Sequence, residues 1–510
     1  MKNKWLLVVL IILVASVFRL QHIASIPPGL YPDEAIDGTN AIQALENVDF
    51  KVFYPENNGR EGLFMNLQAL SIKVFGIHIW SLRVVSAVAG ILTVLGLYLL
   101  ATQLFNWQIG ALSSYLLAIS FWHVNFSRIS FRAILAPMFL VWGLYYFWRG
   151  LSSSKFKNFV LSGIFWGLGF YTYIAFRIIP LALIFALMAY WQSIKKDFDH
   201  EKYLHARNQI ARGLALFLLV VIAVALPIGY HYYTHQADFL GRTSQISVLS
   251  SANPIKTLLT NTGKTLAMFN FVGDYNWRHN LSGEPMLIWP IGILFIIGFF
   301  RSWIKLFAVK RKHGHFSSVH TLLLSWFFVG LLPVVLSNEG IPHALRALLV
   351  VPVVFIFAGE GLHWMIDKAG DWYHVRDVDE FSFRHKWLKE SSFVVIFTTI
   401  IFLGAITMVE YDRYFNKWAK NPQVSAAFDQ SYVDLGNRLN NMSRRIKKYV
   451  LVNEGGVLVD GIPMPAQTVM FVTDTSTPEK QRAKNIYYLT QEQYNKGRYD
   501  RRGLVIPLKK

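Results

Sequence analysis

The run Tyr31-Pro-Asp-Glu-Ala35 sets two carboxylates, Asp33 and Glu34, side by side just beyond the first long apolar stretch, with Asp37, Arg60 and Glu61 following. Charge at the edge of a bilayer is costly to maintain, so such a group marks a polar site at the membrane surface and a candidate catalytic centre. A carboxylate there can take a proton from an attacking group. The plainer reading of the pair is a helix N-terminus, where acidic residues oppose the macrodipole. Arg128, Arg132, Arg177 and Arg346 all fall at predicted helix ends on the same side, and guanidinium groups fork onto phosphate oxygens. Taken singly, each is explained by snorkelling toward headgroups; their convergence on one face is what suggests a phosphate site.

The elements that must position these residues are transmembrane helices. Of 510 residues 53% are hydrophobic and only 16% charged, beyond what a soluble domain carries. A span needs about 20 apolar residues to cross a core of ~30 Å, and about eleven stretches qualify: 4–22, 80–104, 108–125, 132–149, 157–175, 177–194, 213–233, 285–305, 319–337, 347–366 and 391–411. The first is expected to be retained as a helix rather than removed as a signal peptide. Residues 1–411 then form the membrane domain, with external loops at 23–79 and 234–284, and 412–510 form a separate external domain. In the first loop, apolar residues at helical spacing predict short interfacial helices over Asp33–Leu45 and Leu63–Phe75. In the tail, the patterns predict a helix over 423–441, strands at Tyr449–Val452 and Thr468–Val472, and hence a small α/β domain.

Lysine and arginine concentrate at 149–157, 195–212, 301–312 and 368–389, which places those loops and the N-terminus in the cytoplasm. The acidic pair, the 234–284 loop, the short loop 338–346 and the tail then lie on the extracytoplasmic face of the inner or plasma membrane. The net charge of +19 follows from this topology and from attraction to anionic lipids, so no nucleic-acid partner is expected. With no cysteine, thiol catalysis and disulfides are excluded.

Pro27-Pro-Gly-Leu-Tyr-Pro-Asp-Glu34, Asn58-Gly-Arg-Glu-Gly-Leu63, Phe126-Ser-Arg-Ile-Ser-Phe-Arg132, Tyr171-Thr-Tyr-Ile-Ala-Phe-Arg177 and Pro342-His-Ala-Leu-Arg346 resemble the bacterial relatives of protein O-mannosyltransferases and aminoarabinose transferases. These are polytopic GT-C glycosyltransferases that use polyprenyl-phosphate sugars. The resemblance covers about residues 1–370 and implies a GT-C fold, with Asp33 as catalytic base and Glu34 orienting the acceptor or bracing the loop. It also implies that Arg346 with His343 meets the lipid phosphate, followed by Arg128, Arg132 and Arg177.

The expected activity is transfer of one sugar from a polyprenyl-phosphate donor to a protein, lipid or polysaccharide acceptor. A single carboxylate acting on the acceptor implies inversion at the anomeric carbon. Arg60 and Glu61 read as a local ion pair which, with Asp37, positions the loop. Tyr173 reads as an interfacial anchor beside the site, and Trp277 and His279, in Asn276-Trp-Arg-His279, as acceptor-positioning residues. No cofactor is expected. Asp33, Glu34, Asp37, His78 and His343 are possible ligands for a divalent metal, but no ligand spacing is present, so metal independence is favoured. Two rivals remain: a transporter or flippase of lipid-linked sugar, which needs the arginines and not the base, and a non-catalytic cell-envelope assembly protein.

Overall fold

The computed structural model of the chain describes residues 2–197, 200–239, 247–308, 314–376 and 384–508. Parts of three basic loops, at 198–199, 309–313 and 377–383, and residues 240–246 of the second external loop lie outside the described residues.

Among the described residues, eight helices are long and apolar enough to cross a bilayer: Ile79–Leu104, Arg132–Ser153, Ile174–Lys195, Tyr203–Thr234, Trp289–Phe307, Ser317–Val335, Leu348–Gly370 and Phe393–Trp418. Eight of the eleven predicted spans meet this criterion. The other three predicted spans also coincide with helices, the 19-residue α1 (Lys2–Leu20) and the shorter Trp107–Ile119 and Phe156–Gly169. A 13- or 14-residue helix rises about 20 Å, well under the apolar core. Trp107–Ile119 starts where the Asn106 side chain accepts from the Ile109 amide at 2.9 Å. It ends at Ser120, whose extended ψ of 124° separates it from Phe121–Phe126.

The first external loop folds as α2 (Pro32–Asn47), a two-residue hairpin of β1 (Phe53–Tyr54) and β2 (Arg60–Glu61), and α3 (Leu63–Phe75), which leads into α4 (Ile79–Leu104). Pro32 opens α2, Asp33 and Glu34 occupy its first turn, and Val48 closes it in a left-handed conformation. Proline at the first position and acids in the first turn are residue types that start a helix, whereas a valine in the left-handed end position is unusual. The hairpin turns at Gly59, with φ of +77° and a Cβ position that would sit 2.5 Å from the Phe53 ring, so both backbone and space demand glycine.

In the tail, the central strand Lys448–Val452 pairs in parallel with Ile486–Thr490 on one side and Leu504–Pro507 on the other. The predicted 423–441 helix is two helices, Pro422–Ala427 and Gln430–Asn441, separated at Asp429, which takes φ of +51°. The segment predicted as a strand at Thr468–Val472 lies in the helix Ala466–Thr473. Its β-branched composition favours a strand, yet Ala466, Val469 and Met470 fill the tail core at helical spacing while Phe471 packs on the membrane domain. Packing overrides propensity here.

That helix lies directly on α2. A Cβ at Gly38 would sit 2.6 Å from the Phe471 ring and 2.7 Å from Leu82, so α2 passes between tail and α4 only because residue 38 has no side chain. The Thr468 hydroxyl donates to the Leu30 carbonyl at 2.9 Å, and Lys480 pairs with Glu46 at 2.7 Å. Consequently α2 is buried continuously from Glu34 to Ile42, and the acidic motif is clamped from both sides.

Candidate active site

Four carboxylates meet around the start of α2, and three of them are matched by arginines. Glu34 is fully buried. It pairs with Arg83 of α4 at 3.2 Å and accepts from the Ser130 amide at 2.8 Å. Arg83 also donates to the carbonyls of Pro27 at 2.6 Å and Gly29 at 2.7 Å. The pair therefore fixes the approach to α2. Asp37 pairs with Arg60, and burial pushes its carboxyl up to about 6 against the opposing pull of Arg60 and Arg132. Glu61 takes Arg132 at 3.0 Å and Arg177 at 3.3 Å. Burial alone would raise the Glu61 carboxyl, but the two guanidinium groups outweigh it and hold it below its ordinary range.

The expected Arg60–Glu61 ion pair is thus replaced by two separate pairings. The two residues are consecutive in β2, and successive side chains of a strand point to opposite faces. Arg60 reaches α2 on one side, and Glu61 reaches the helix ends at 132 and 177 on the other.

Asp33 differs from its neighbours. It is half-buried, and its Oδ1 accepts from the Asn57 side chain at 2.9 Å. Among the described residues it has no ion-pair partner. Its carboxylate therefore remains the accessible one in a group otherwise neutralised.

The cationic candidates divide as well. Arg128 is fully buried and donates to three carbonyls, Phe18 at 3.0 Å, Gln21 at 2.7 Å and Ile26 at 2.9 Å, tying the end of α1 to the acidic loop. It presents no free fork to a phosphate. Arg132 sits over the Tyr173 ring at 5.8 Å while holding Glu61. Arg177 also donates to the Tyr232 hydroxyl at 2.8 Å and stacks on the Tyr232 ring. Arg346 is half-buried and holds its own loop through the Ser337 hydroxyl and the Glu339 carbonyl.

A third loop closes the site. Arg278 lies 3.7 Å over the ring of Tyr31, two residues before Asp33, and its carbonyl accepts from Asn125 at 2.7 Å. Trp277 is half-buried, and its carbonyl accepts from Trp418 at 2.8 Å. His279 is buried against Phe126 and Phe131, and its Nδ1 lies 2.9 Å from Asp274 Oδ2. The Asp274 hydrogen bond with His279 and the neighbouring imidazoles overcome burial and hold its carboxyl low. The possible ligand set of Asp33, Glu34, Asp37, His78 and His343 does not assemble, because Glu34 and Asp37 belong to Arg83 and Arg60. His343 stands instead beside His279, their rings 4.9 Å apart.

The sequence reading missed Arg83, Asp274, Arg278 and Asn57. Arg83 carried a usable signal, since an ionisable residue one turn inside an apolar span is a site candidate in its own right.

Residues 63–222 match the family described as dolichyl-phosphate-mannose-protein mannosyltransferase. A putative mannosyltransferase of Bacillus subtilis, YkcB, is 29% identical over 132 residues, 26% of this chain and 18% of the relative. ArnT from Cupriavidus metallidurans bound to undecaprenyl phosphate superposes with a TM-score of 0.51 at 14% identity, covering 97% of this chain and 91% of that one. The archaeal oligosaccharyltransferase AglB from Archaeoglobus fulgidus, in complex with an inhibitory peptide and a dolichol-phosphate, superposes with a TM-score of 0.55 at 14% identity. It covers 92% of this chain, which spans 63% of its length. The chain is a multi-pass helical protein with the GT-C fold, and its residues 63–222 are similar to that mannosyltransferase family.

Proposed function

We propose that this protein is a membrane glycosyltransferase that moves a sugar from a polyprenyl-phosphate donor to an acceptor at the extracytoplasmic face, in a single inverting displacement. The observation that carries this reading is the isolation of Asp33: three neighbouring carboxylates are paired with arginines, and this one is accessible. A polyprenyl-phosphate leaving group departs readily, so the chemistry asks chiefly for a base on the acceptor hydroxyl and cations beside the phosphate. Asp33 takes the acceptor proton as the hydroxyl oxygen bonds to the anomeric carbon, and the carbon–phosphate oxygen bond breaks. Arg177 and Arg346, each half-buried at the same end of the bundle, are the cations assigned to the phosphate. Arg128 and Arg132 hold the loops around it. Lipid-phosphate ligands in two structures of the same fold support the donor class.

The test uses labelled polyprenyl-phosphate sugars and purified protein in proteoliposomes, with Asp33→Asn and Arg346→Ala alongside. Sugar release that Asp33→Asn abolishes without weakening donor binding supports the base. Donor crossing the bilayer intact, at the same rate in Asp33→Asn, would replace transfer with transport.

A further inference from the structure

We propose that Asp274, His279 and His343 form a binding site for one divalent cation of the zinc class, joining the loop that carries Asp274 and His279 to the loop that carries His343. The three offer ligand atoms that all lie within 4.8 Å of one another. Two imidazole nitrogens and one carboxylate oxygen suit zinc, and three protein ligands leave a fourth position for water or a substrate oxygen.

The carboxylate is already oriented. Asp274 Oδ1 accepts from the Asn276 amide at 2.8 Å, and Oδ2 accepts from the Ala344 amide at 2.8 Å. The second contact runs to the residue next to His343, so both loops are fastened before any ion arrives. Such outer hydrogen bonds aim a metal ligand and are a regular part of metal sites. The separation of 2.9 Å between His279 Nδ1 and Asp274 Oδ2 is that of a hydrogen bond, and it has to widen by only a few tenths of an ångström to reach the roughly 3.3 Å between ligand atoms on a tetrahedral ion with bonds of about 2.0–2.1 Å. Coordination through Nδ1 requires the neutral His279 ring to carry its proton on Nε2, so binding exchanges the His279–Asp274 hydrogen bond for two bonds to the ion.

The surroundings fit a cation. Asp274 and His279 are each about 4% exposed, with Phe126 and Phe131 against the His279 ring. Of the two nearby arginines, Arg278 stacks on Tyr31 and Arg346 binds Ser337 and Glu339, so both guanidinium groups are held by other partners, although their charge still reaches His343. The 4.8 Å span of the three ligand atoms closes to tetrahedral spacing by a side-chain adjustment of His343, which is half-buried.

The experiment uses the full chain without an affinity tag, stripped with chelator and reconstituted in nanodiscs. Zinc stoichiometry is measured directly and coordination is read from the visible spectrum of the cobalt form. One ion per chain is expected, with affinity falling at least about tenfold in His343→Ala and in Asp274→Asn and unchanged in His231→Ala, which removes a histidine from the separate His231–Asp238 contact. Unfolding temperature in chelator shows whether His343→Ala folds; if it does not, His279→Gln takes its place. A zinc-dependent rise in unfolding temperature in the parent and in His231→Ala, but not in His343→Ala or Asp274→Asn, supports the site. Equal zinc binding by parent and His343→Ala, absence of binding by the parent, or loss of binding in His231→Ala overturns it. None of these readouts depends on sugar transfer.

Discussion

Asp33→Asn preserves the size of the side chain and its contact with Asn57 while removing its capacity to accept a proton, so it separates chemistry from architecture. Transfer is expected to fall by about 10²–10⁴-fold, with the unfolding temperature and donor affinity unchanged. Arg83→Ala should do the reverse. It leaves Glu34 charged and fully buried with its pairing lost, a change that costs roughly 3–5 kcal/mol. Calorimetry in detergent should therefore show a large drop in stability for Arg83→Ala; a drop no larger than that of Asp33→Asn would contradict the bracing role. Glu61 sets a pH signature. Its folded carboxyl is held below the ordinary value of 4.5, so its contribution is fully present above that value and is lost as pH falls through the folded one. Glu61→Gln should lower stability at neutral pH and flatten the fall in unfolding temperature below about pH 4.5, whereas a parallel acid limb would show that its arginine pairs do not matter to folding.

At the scale of elements, the tail helix Ala466–Thr473 supports the helix that carries Asp33. The Cβ of Gly38→Val would meet the Phe471 ring at 2.6 Å and Leu82 at 2.7 Å, so these side chains must be displaced and the contact between α2 and the tail is expected to loosen. Limited proteolysis between 411 and 422 should accelerate in this variant, and transfer should fall although residue 38 does no chemistry. Unchanged proteolysis and activity would show that the contact is dispensable. This coupling was invisible in the sequence, because Thr468 and Leu30, which share a hydrogen bond, are far apart along the chain. Long apolar helices were legible, since composition and length alone demand them, and α3 was placed at its observed bounds by periodicity. The acidic motif was legible for a related reason: Pro32, Asp33 and Glu34 write a helix start at a membrane edge. What escaped was pairing. Nothing local says that Arg60 turns to Asp37 while Glu61 turns to Arg132 and Arg177, or that Asp274 meets His343. The tail strand was misread because Thr468-Val-Met-Phe-Val472 has strand composition, and the contacts that make it a helix are tertiary.

On the scale of the whole molecule, contacts gather the acidic loop, the Asp274–Glu284 loop, the Ser337–Arg346 loop and the tail at one end of the bundle. The helix Arg132–Ser153 leaves that end at the Glu61 contact and, at 22 residues, rises about 33 Å to the other. There the loop at 149–157 carries Arg149, Lys155 and Lys157, and basic short loops stay in the cytoplasm. The site end should accordingly face outward, where a lipid-phosphate donor would be met. A chain without cysteine allows this to be read directly with single introduced thiols. In intact cells an impermeant maleimide should label Ser282→Cys and Ser443→Cys, on the 274–284 loop and the tail, but label Ser154→Cys only after the membrane is opened. The reverse pattern would put the carboxylates on the cytoplasmic face and overturn the extracytoplasmic reaction. Labelling of Ser282→Cys and Ser443→Cys from opposite sides would contradict the fold itself, because Trp418, which leads into the tail, is hydrogen-bonded to Trp277 in that same loop.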